Sequence, residues 1–156
     1  MIQVDIPGYR VVQLEHLVMD YNGTLAVDGC LEGGVREALE ALSAQLTIHV
    51  ITADTFGLAA GQLKDSPVQL SVLPPGYQDV AKRDYVNRLG CAGTVAVGNG
   101  RNDRLMLKAA ELGIGVILRE GAAAATLAAA DIVCMGIVPA LELLSNPLRL
   151  TATLRS

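Results

Sequence analysis

Tryptophan is absent from this chain, phenylalanine occurs once and tyrosine four times. With so few rings, a packed interior has to be assembled from Leu, Val, Ile and Ala. Cysteine is scarce: Cys30, Cys91 and Cys134 lie far apart and form no Cys-x-x-Cys pair. Neither a zinc site nor a disulfide framework is expected, and the thiols suit a reducing cytosol. Positive charge is the minority, 12 Lys and Arg against 16 Asp and Glu, for a net charge of -4. The basic residues are scattered rather than striped, which argues against nucleic acid as a partner. Long apolar runs are missing too, although the hydrophobic fraction is 51% and the mean hydropathy +0.40. Glu111, Arg119, Glu120 and Asp131 break the 105–135 region, and no stretch approaches the ~20 apolar residues of a spanning helix. Much of the hydropathy comes from alanine, as in Ala122–Ala125. No membrane segment is expected, nor a signal peptide, since no basic segment followed by an apolar one opens the chain. A cytoplasmic location is expected.

What is present is a regular alternation of short apolar runs with segments of helical period, the mark of a parallel sheet flanked by helices. Strands are predicted near Leu14–Met19, Thr47–Ile51, Val68–Leu73, Thr94–Val97, Ile114–Leu118 and Ile132–Cys134. Helices are predicted near Gly34–Ala44, Phe56–Leu63, Gln78–Leu89, Asp103–Leu112, Ala122–Ala130 and Pro139–Leu144, with Gly90 and Gly113 as C-caps. A last helix is expected to start at Pro147. Ile2–Ile6 reads as an edge strand or as a hairpin with Arg10–Leu14. The expectation is α/β: a three-layer, Rossmann-like fold with a central parallel sheet, and residues 1–156 as one domain. The gaps 22–52 and 54–82 hold a small flap and single elements, not an inserted cap domain.

Two turns carry the chemistry. Leu17-Val18-Met19 delivers Asp20 to Tyr21-Asn22-Gly23-Thr24-Leu25, and Val95-Ala96-Val97 delivers Gly98-Asn99-Gly100-Arg101-Asn102-Asp103. Both lie at carboxyl ends of apolar strands, where open α/β sheets bind ligands. Acidic and amide-bearing turns after two such strands suggest one shared, oxygen-rich site. A carboxylate can attack a phosphoryl group and form an acyl phosphate. Carboxylate and phosphate repel, so a divalent cation has to bridge them. Mg²⁺ takes oxygen ligands, and Asp20 and Asp103 are the available carboxylates.

These motifs, with Ile51-Thr52-Ala53-Asp54 and Lys82 between them, resemble the haloacid-dehalogenase-like superfamily, in particular the capless phosphohydrolase core shared with P-type transport ATPases. The usual patterns are Asp-x-Asp-Gly-Thr or Asp-Lys-Thr-Gly-Thr, then Thr-Gly-Asp, a lysine, and Gly-Asp-Gly-x-Asn-Asp. Gly113-Ile114-Gly115-Val116 and Ala129-Ala130-Asp131-Ile132-Val133 resemble the end of the ATPase phosphorylation domain. The resemblance implies a Mg²⁺-dependent phosphohydrolase with an aspartyl-phosphate intermediate. It makes Asp20 the nucleophile, with Asn22, Thr52 and Lys82 beside it. It implies a phosphate site of Asp20, Gly23, Thr52, Ala53 and Lys82, and a metal site of Asp20, Asn22 (through its carbonyl), Asn99 and Asp103. Lys64 is a weaker rival to Lys82. A core without a cap implies either bulky phosphorylated substrates or a neighbouring subunit as lid, so a homo-oligomer is one of two arrangements allowed.

Two departures matter. Asn22 stands where phosphatases keep a general acid, and Asn99 where a charged metal ligand is usual. An amide cannot carry the proton, so turnover is expected to be slow. The alternative is a regulatory or phosphate- or partner-binding module that has lost catalysis. A response-regulator reading lacks the acidic pair, and a dinucleotide site lacks the third glycine, since Asp103 stands there. Asp54 reads as a helix cap, Arg101 as a rim residue, Asp28 and Glu32 as part of a solvated flap. His16 and His49 read as isolated strand histidines.

Overall fold

The first apolar residues pair locally. In the computed structural model, which describes residues 1–156, β1 (Ile2–Ile6) and β2 (Arg10–Leu14) form an antiparallel hairpin with its own two-stranded sheet. Then follow β3 (His16–Met19), a ribbon of β4 (Ala26–Val27) and β5 (Cys30–Leu31), α1 (Val35–Leu42), β6 (Thr47–Thr52), α2 (Ala59–Gln62) and β7 (Gln69–Val72). The second half runs α3 (Gln78–Leu89), β8 (Thr94–Gly98), α4 (Arg104–Ala109), β9 (Leu112–Val116), α5 (Ala124–Ala129), β10 (Ile132–Cys134), α6 (Ile137–Ser145) and α7 (Pro147–Leu154).

The six central strands are all parallel, in the order β10-β9-β8-β3-β6-β7. β8 and β9 are buried at every residue, as strands covered on both faces must be. Alternate residues feed two cores. Leu17, Met19, Val95 and Val97 point into the larger one, with α1, α6 and the hairpin; Val18, Ala96 and Ile51 point into the smaller, against Val86 and Met106. The chain builds β3, β6 and β7 in one direction, then crosses back to lay down β8, β9 and β10 on the other side. The crevice at this reversal lies at the carboxyl ends of β3, β6 and β8.

Several boundaries differ from expectation. The run Leu14–Met19 is split: Leu14 ends the hairpin, and Glu15 turns the chain, its N–H donating to Gly93 O and its carbonyl accepting from Thr47. Leu112 and Gly113 belong to β9 rather than to the end of α4, and the strand stops at Val116 rather than at Leu118. A Cβ on Gly113 would lie 2.5 Å from Leu107 O. This glycine therefore permits close helix–strand packing and is not a cap. α2 shrinks to a single turn, and α6 begins at Ile137, ahead of Pro139. Gln78–Leu89 and the helix from Pro147 stand as expected. No helix is long and apolar enough to cross a membrane.

Candidate active site

Asp20 stands one residue past β3, its N–H donating to Val97 O at 3.1 Å, and it is 7% exposed. The turn after it is closed by the Tyr21 carbonyl, which accepts the amides of Thr24, Leu25 and Ala26. Gly23 adopts φ 78°, and a Cβ there would run into Asn99 Nδ2. Its own N–H is committed to Ala26 O at 2.7 Å, so Gly23 shapes the turn while its amide is already engaged.

Lys82 and Val86 are the buried residues of α3, four apart and so on one face. That face carries the Lys82 ammonium, 0% exposed, to 2.8 Å from Asp20 Oδ1 and 2.7 Å from Asp103 Oδ1. Asp103 Oδ2 accepts the amides of Asn99 and Gly100 at 3.0 and 2.9 Å. One cation thus ties the β3 turn to the β8 turn. Thr52, at the end of β6 and 1% exposed, accepts the Asp54 N–H at 2.9 Å, which leaves its own hydroxyl proton free to donate. Asn99 is held at both ends of its amide: Nδ2 donates to Gly121 O at 3.0 Å and Oδ1 accepts from Thr24 Oγ1 at 3.1 Å.

Above this frame opens a cavity of about 220 Å³ whose lining includes Asp20, Asn22, Thr52, Ala53, Asn99 and Glu120. Lys82 and Asp103 lie beneath it, fully buried. Burial raises the pKa of Asp20, and the charge of Asp103 raises it further; Lys82 opposes both, and the balance is about 7. Burial works to lower the pKa of Lys82, but Asp103 and Asp20 overcome it and hold the amine charged above its ordinary value.

Five of the predicted site residues therefore face one cavity: Asp20, Asn22, Thr52, Ala53 and Asn99. Asp103, expected as a metal ligand, is not among the cavity's lining residues; its oxygens are engaged by Lys82 and the two amides. Asp54, at φ 51°, accepts the Ala59 N–H at 3.0 Å. Arg101 is exposed beside Tyr77 and Asp79, lining an adjoining hollow. Five further residues complete the lining: Gly100 and Asn102 from the Gly98–Asp103 motif, and Thr55, Gln78 and Glu120, which were not foreseen. Asn102 Nδ2 donates to Gln78 Oε1 at 3.0 Å. His16 and His49 are not isolated: Nδ1 of one lies 3.2 Å from Nε2 of the other, and His49 Nδ1 lies 3.0 Å from Tyr85 OH.

The donors facing the cavity suit a hard cation. Asn22 Oδ1 is fully shielded and has no hydrogen-bond partner, an orphan acceptor that calls for a ligand. Asp20, Asn99 and Glu120 line the same cavity with further side-chain oxygens. No point gathers three or more acidic, His or Cys side chains, so a cation here would draw on neutral oxygens as well as on carboxylate. That set fits Mg²⁺, which is held by one or two carboxylates and keeps several waters.

No family model matches the chain. It is 54% identical over 61 residues to the uncharacterized protein MJ0073 of Methanocaldococcus jannaschii, covering 39% of this chain and 66% of that protein. It is 41% identical over 42 residues to MJ0072 of the same organism, covering 27% of this chain and 96% of that protein. It therefore belongs to one family with MJ0072. It is 36% identical over 88 residues to phosphoserine phosphatase SerB2 of Mycobacterium tuberculosis, covering 55% of this chain and only 21% of that protein's length. Among solved structures, 3-deoxy-D-manno-octulosonate 8-phosphate phosphatase from Moraxella catarrhalis, in complex with magnesium, phosphate and the sugar acid, superposes with a TM-score of 0.71. Identity is 17%, over 91% of this chain and 94% of that one. A haloacid-dehalogenase superfamily phosphatase from Bacteroides thetaiotaomicron gives 0.59 at 12% identity, over 90% and 96% of the two chains.

Proposed function

We propose that this chain, which has the haloacid-dehalogenase fold and belongs to one family with MJ0072, is a magnesium-dependent phosphohydrolase acting through an aspartyl-phosphate. The observation that carries this reading is Asp20 itself. One of its oxygens is held by a fully buried lysine, and its carboxylate lines a cavity shared with Thr52 and Asn99 from two other strand ends.

The chemistry follows from those positions. Asp20 Oδ2, whose nearest partner is Thr24 Oγ1 at 3.4 Å, forms a bond to phosphorus while the bond to the leaving oxygen breaks. The electron pair goes to the leaving oxygen. Asn22 has no proton to give it, so water must supply one, which makes the step slow. The free Thr52 hydroxyl proton donates to a non-bridging phosphoryl oxygen, and Lys82 balances the carboxylate charge. Water then adds to phosphorus, the Asp20–phosphorus bond breaks, and the carboxylate is regenerated with loss of a proton to solvent. Asp20, Asn22 and Asn99 would hold magnesium, which would supply the charge that lets carboxylate and phosphate approach. Asp103 supports this from behind by positioning Lys82 and the 99–100 amides. The substrate class is a phosphate ester or anhydride, as the named relatives' substrates suggest.

The test is hydrolysis of an aryl phosphate with and without Mg²⁺, for the native chain and Asp20→Ala. Metal-dependent turnover that vanishes in Asp20→Ala is expected. Equal rates in the two proteins would remove Asp20 from the reaction. A native chain with no turnover at all would favour a phosphate-binding or partner-binding module.

A further inference from the structure

Two carboxylates, Asp20 and Glu120, line the cavity, with Asp103 and the Lys82 ammonium beneath it, and Glu120 is left unexplained. Asp20 and Asp103 share Lys82. Glu120 forms no ion pair, since the chain's salt bridges lie elsewhere. It follows β9 in a loop stitched to Asn99 twice, by Asn99 Nδ2 to Gly121 O and by Ala123 N–H to Asn99 O at 2.8 Å. That stitching fixes where Glu120 points. Its Oε1 accepts the Asp28 N–H at 3.1 Å. Its Oε2 makes no hydrogen bond and lies over the catalytic turn, 2.8 Å from where a Cβ on Gly23 would stand. The same missing Cβ would meet Asn99 Nδ2, so the Asn99 and Glu120 side chains converge on one spot beside Asn22.

Three carboxylates are thus served by a single ammonium, an acidic excess that suits a divalent ion. We infer that Glu120 contributes its carboxylate to the divalent-cation site, making up for charge absent at Asn22 and Asn99. The inference rests on the cation-dependent reading above. Asn99 cannot supply that charge itself: its Nδ2 is a donor to Gly121 O, and an aspartate there would face that carbonyl with another acceptor. Asn22, whose Oδ1 has no partner within the chain, lines the same cavity.

Glu120→Gln isolates charge from structure, because glutamine keeps an oxygen to accept the Asp28 N–H. Binding of Mn²⁺ to the full chain, followed by the loss of the free-ion signal in electron paramagnetic resonance, reads the affinity without any turnover. Glu120→Gln is expected to weaken Mn²⁺ binding roughly tenfold, as loss of a supporting partner at a metal site does. The metal-free melting temperature should stay unchanged, and Glu120→Asp should recover part of the affinity. Equal Mn²⁺ affinity in the native chain and Glu120→Gln would overturn the assignment while leaving the cation site intact. Asp20→Asn separates the two claims: if it binds Mn²⁺ as the native chain does, or if the native chain shows no saturable binding, the cation-dependent reading itself fails.

Discussion

Replacing Lys82 by methionine keeps an unbranched side chain of similar length and removes only the ammonium. The structure says what is left behind: Asp20 at 7% exposure and Asp103 at 0%, facing each other with no cation between them. Removing one partner from a buried ion pair costs about 3–5 kcal/mol, because the remaining charge is stranded. That is a large part of the ~5–15 kcal/mol that holds a domain together. With unfolding entropy near 2.1 cal/mol/K per residue, a chain of this size should melt roughly 9–15 °C lower. The deficit should also depend on pH. Burial, and then the Asp103 charge, already raise the Asp20 pKa in the native chain, and removing the opposing ammonium raises it further in the folded variant. The variant therefore loses stability as pH rises from about 4, and its deficit is greater at pH 8 than at pH 5. In the native chain the elevated Lys82 pKa makes its contribution fully present below the ordinary 10.5, lost only as pH rises through the higher folded value. Urea unfolding of both proteins at the two pH values measures this. A deficit below about 1 kcal/mol, the scale of an exposed pair, or one that is the same at both pH values, would refute the claim that Lys82 neutralises two buried charges.

Asn22→Asp places a second carboxyl beside Asp20, where mutual repulsion favours a proton-carrying form. Turnover of an aryl phosphate should rise about a hundredfold, the lower end of what acid–base assistance contributes; a folded variant at the native rate would exclude position 22 from leaving-group protonation. The His16–His49–Tyr85 chain gives a separate acid sensitivity. Burial, and then the His16 charge, lower the His49 pKa below 6.5, so its contribution is whole above the unfolded value and is lost as pH falls below it. The urea midpoint should decline from pH 7 to pH 5 more steeply in the native chain than in His49→Asn, and parallel curves would show that this histidine does not titrate on unfolding.

Asp20, Thr52 and Asn99 were legible because each ends an apolar run, and strand ends on one side of a parallel sheet converge whatever the loops do. Lys82 was legible for a weaker reason, its place in chain order; its burial beside Val86 could not be read from a helix that is otherwise polar. Glu120 was visible only as a charge interrupting an apolar stretch. Its position depends on a loop held to Asn99 across 22 residues, and no local pattern encodes that contact. The histidine pair escaped for a similar reason. His16 pairs with Thr47 and Val18 with His49 in the β3–β6 register, and the side-chain encounter follows from that register rather than from either strand alone. Gly113 was misread because a glycine between apolar residues serves equally as a cap or as a close-approach point. Only the position of Leu107 decides between them.

The central claim is that a single oxygen of Asp20 takes up phosphorus. A crystal structure of the chain with Mg²⁺ and beryllium fluoride, a mimic of the phosphoryl group, tests it directly. Beryllium bonded to an Asp20 carboxylate oxygen, within reach of Thr52, is the result predicted. Fluoride density elsewhere in the crevice, with both Asp20 oxygens free, would contradict it.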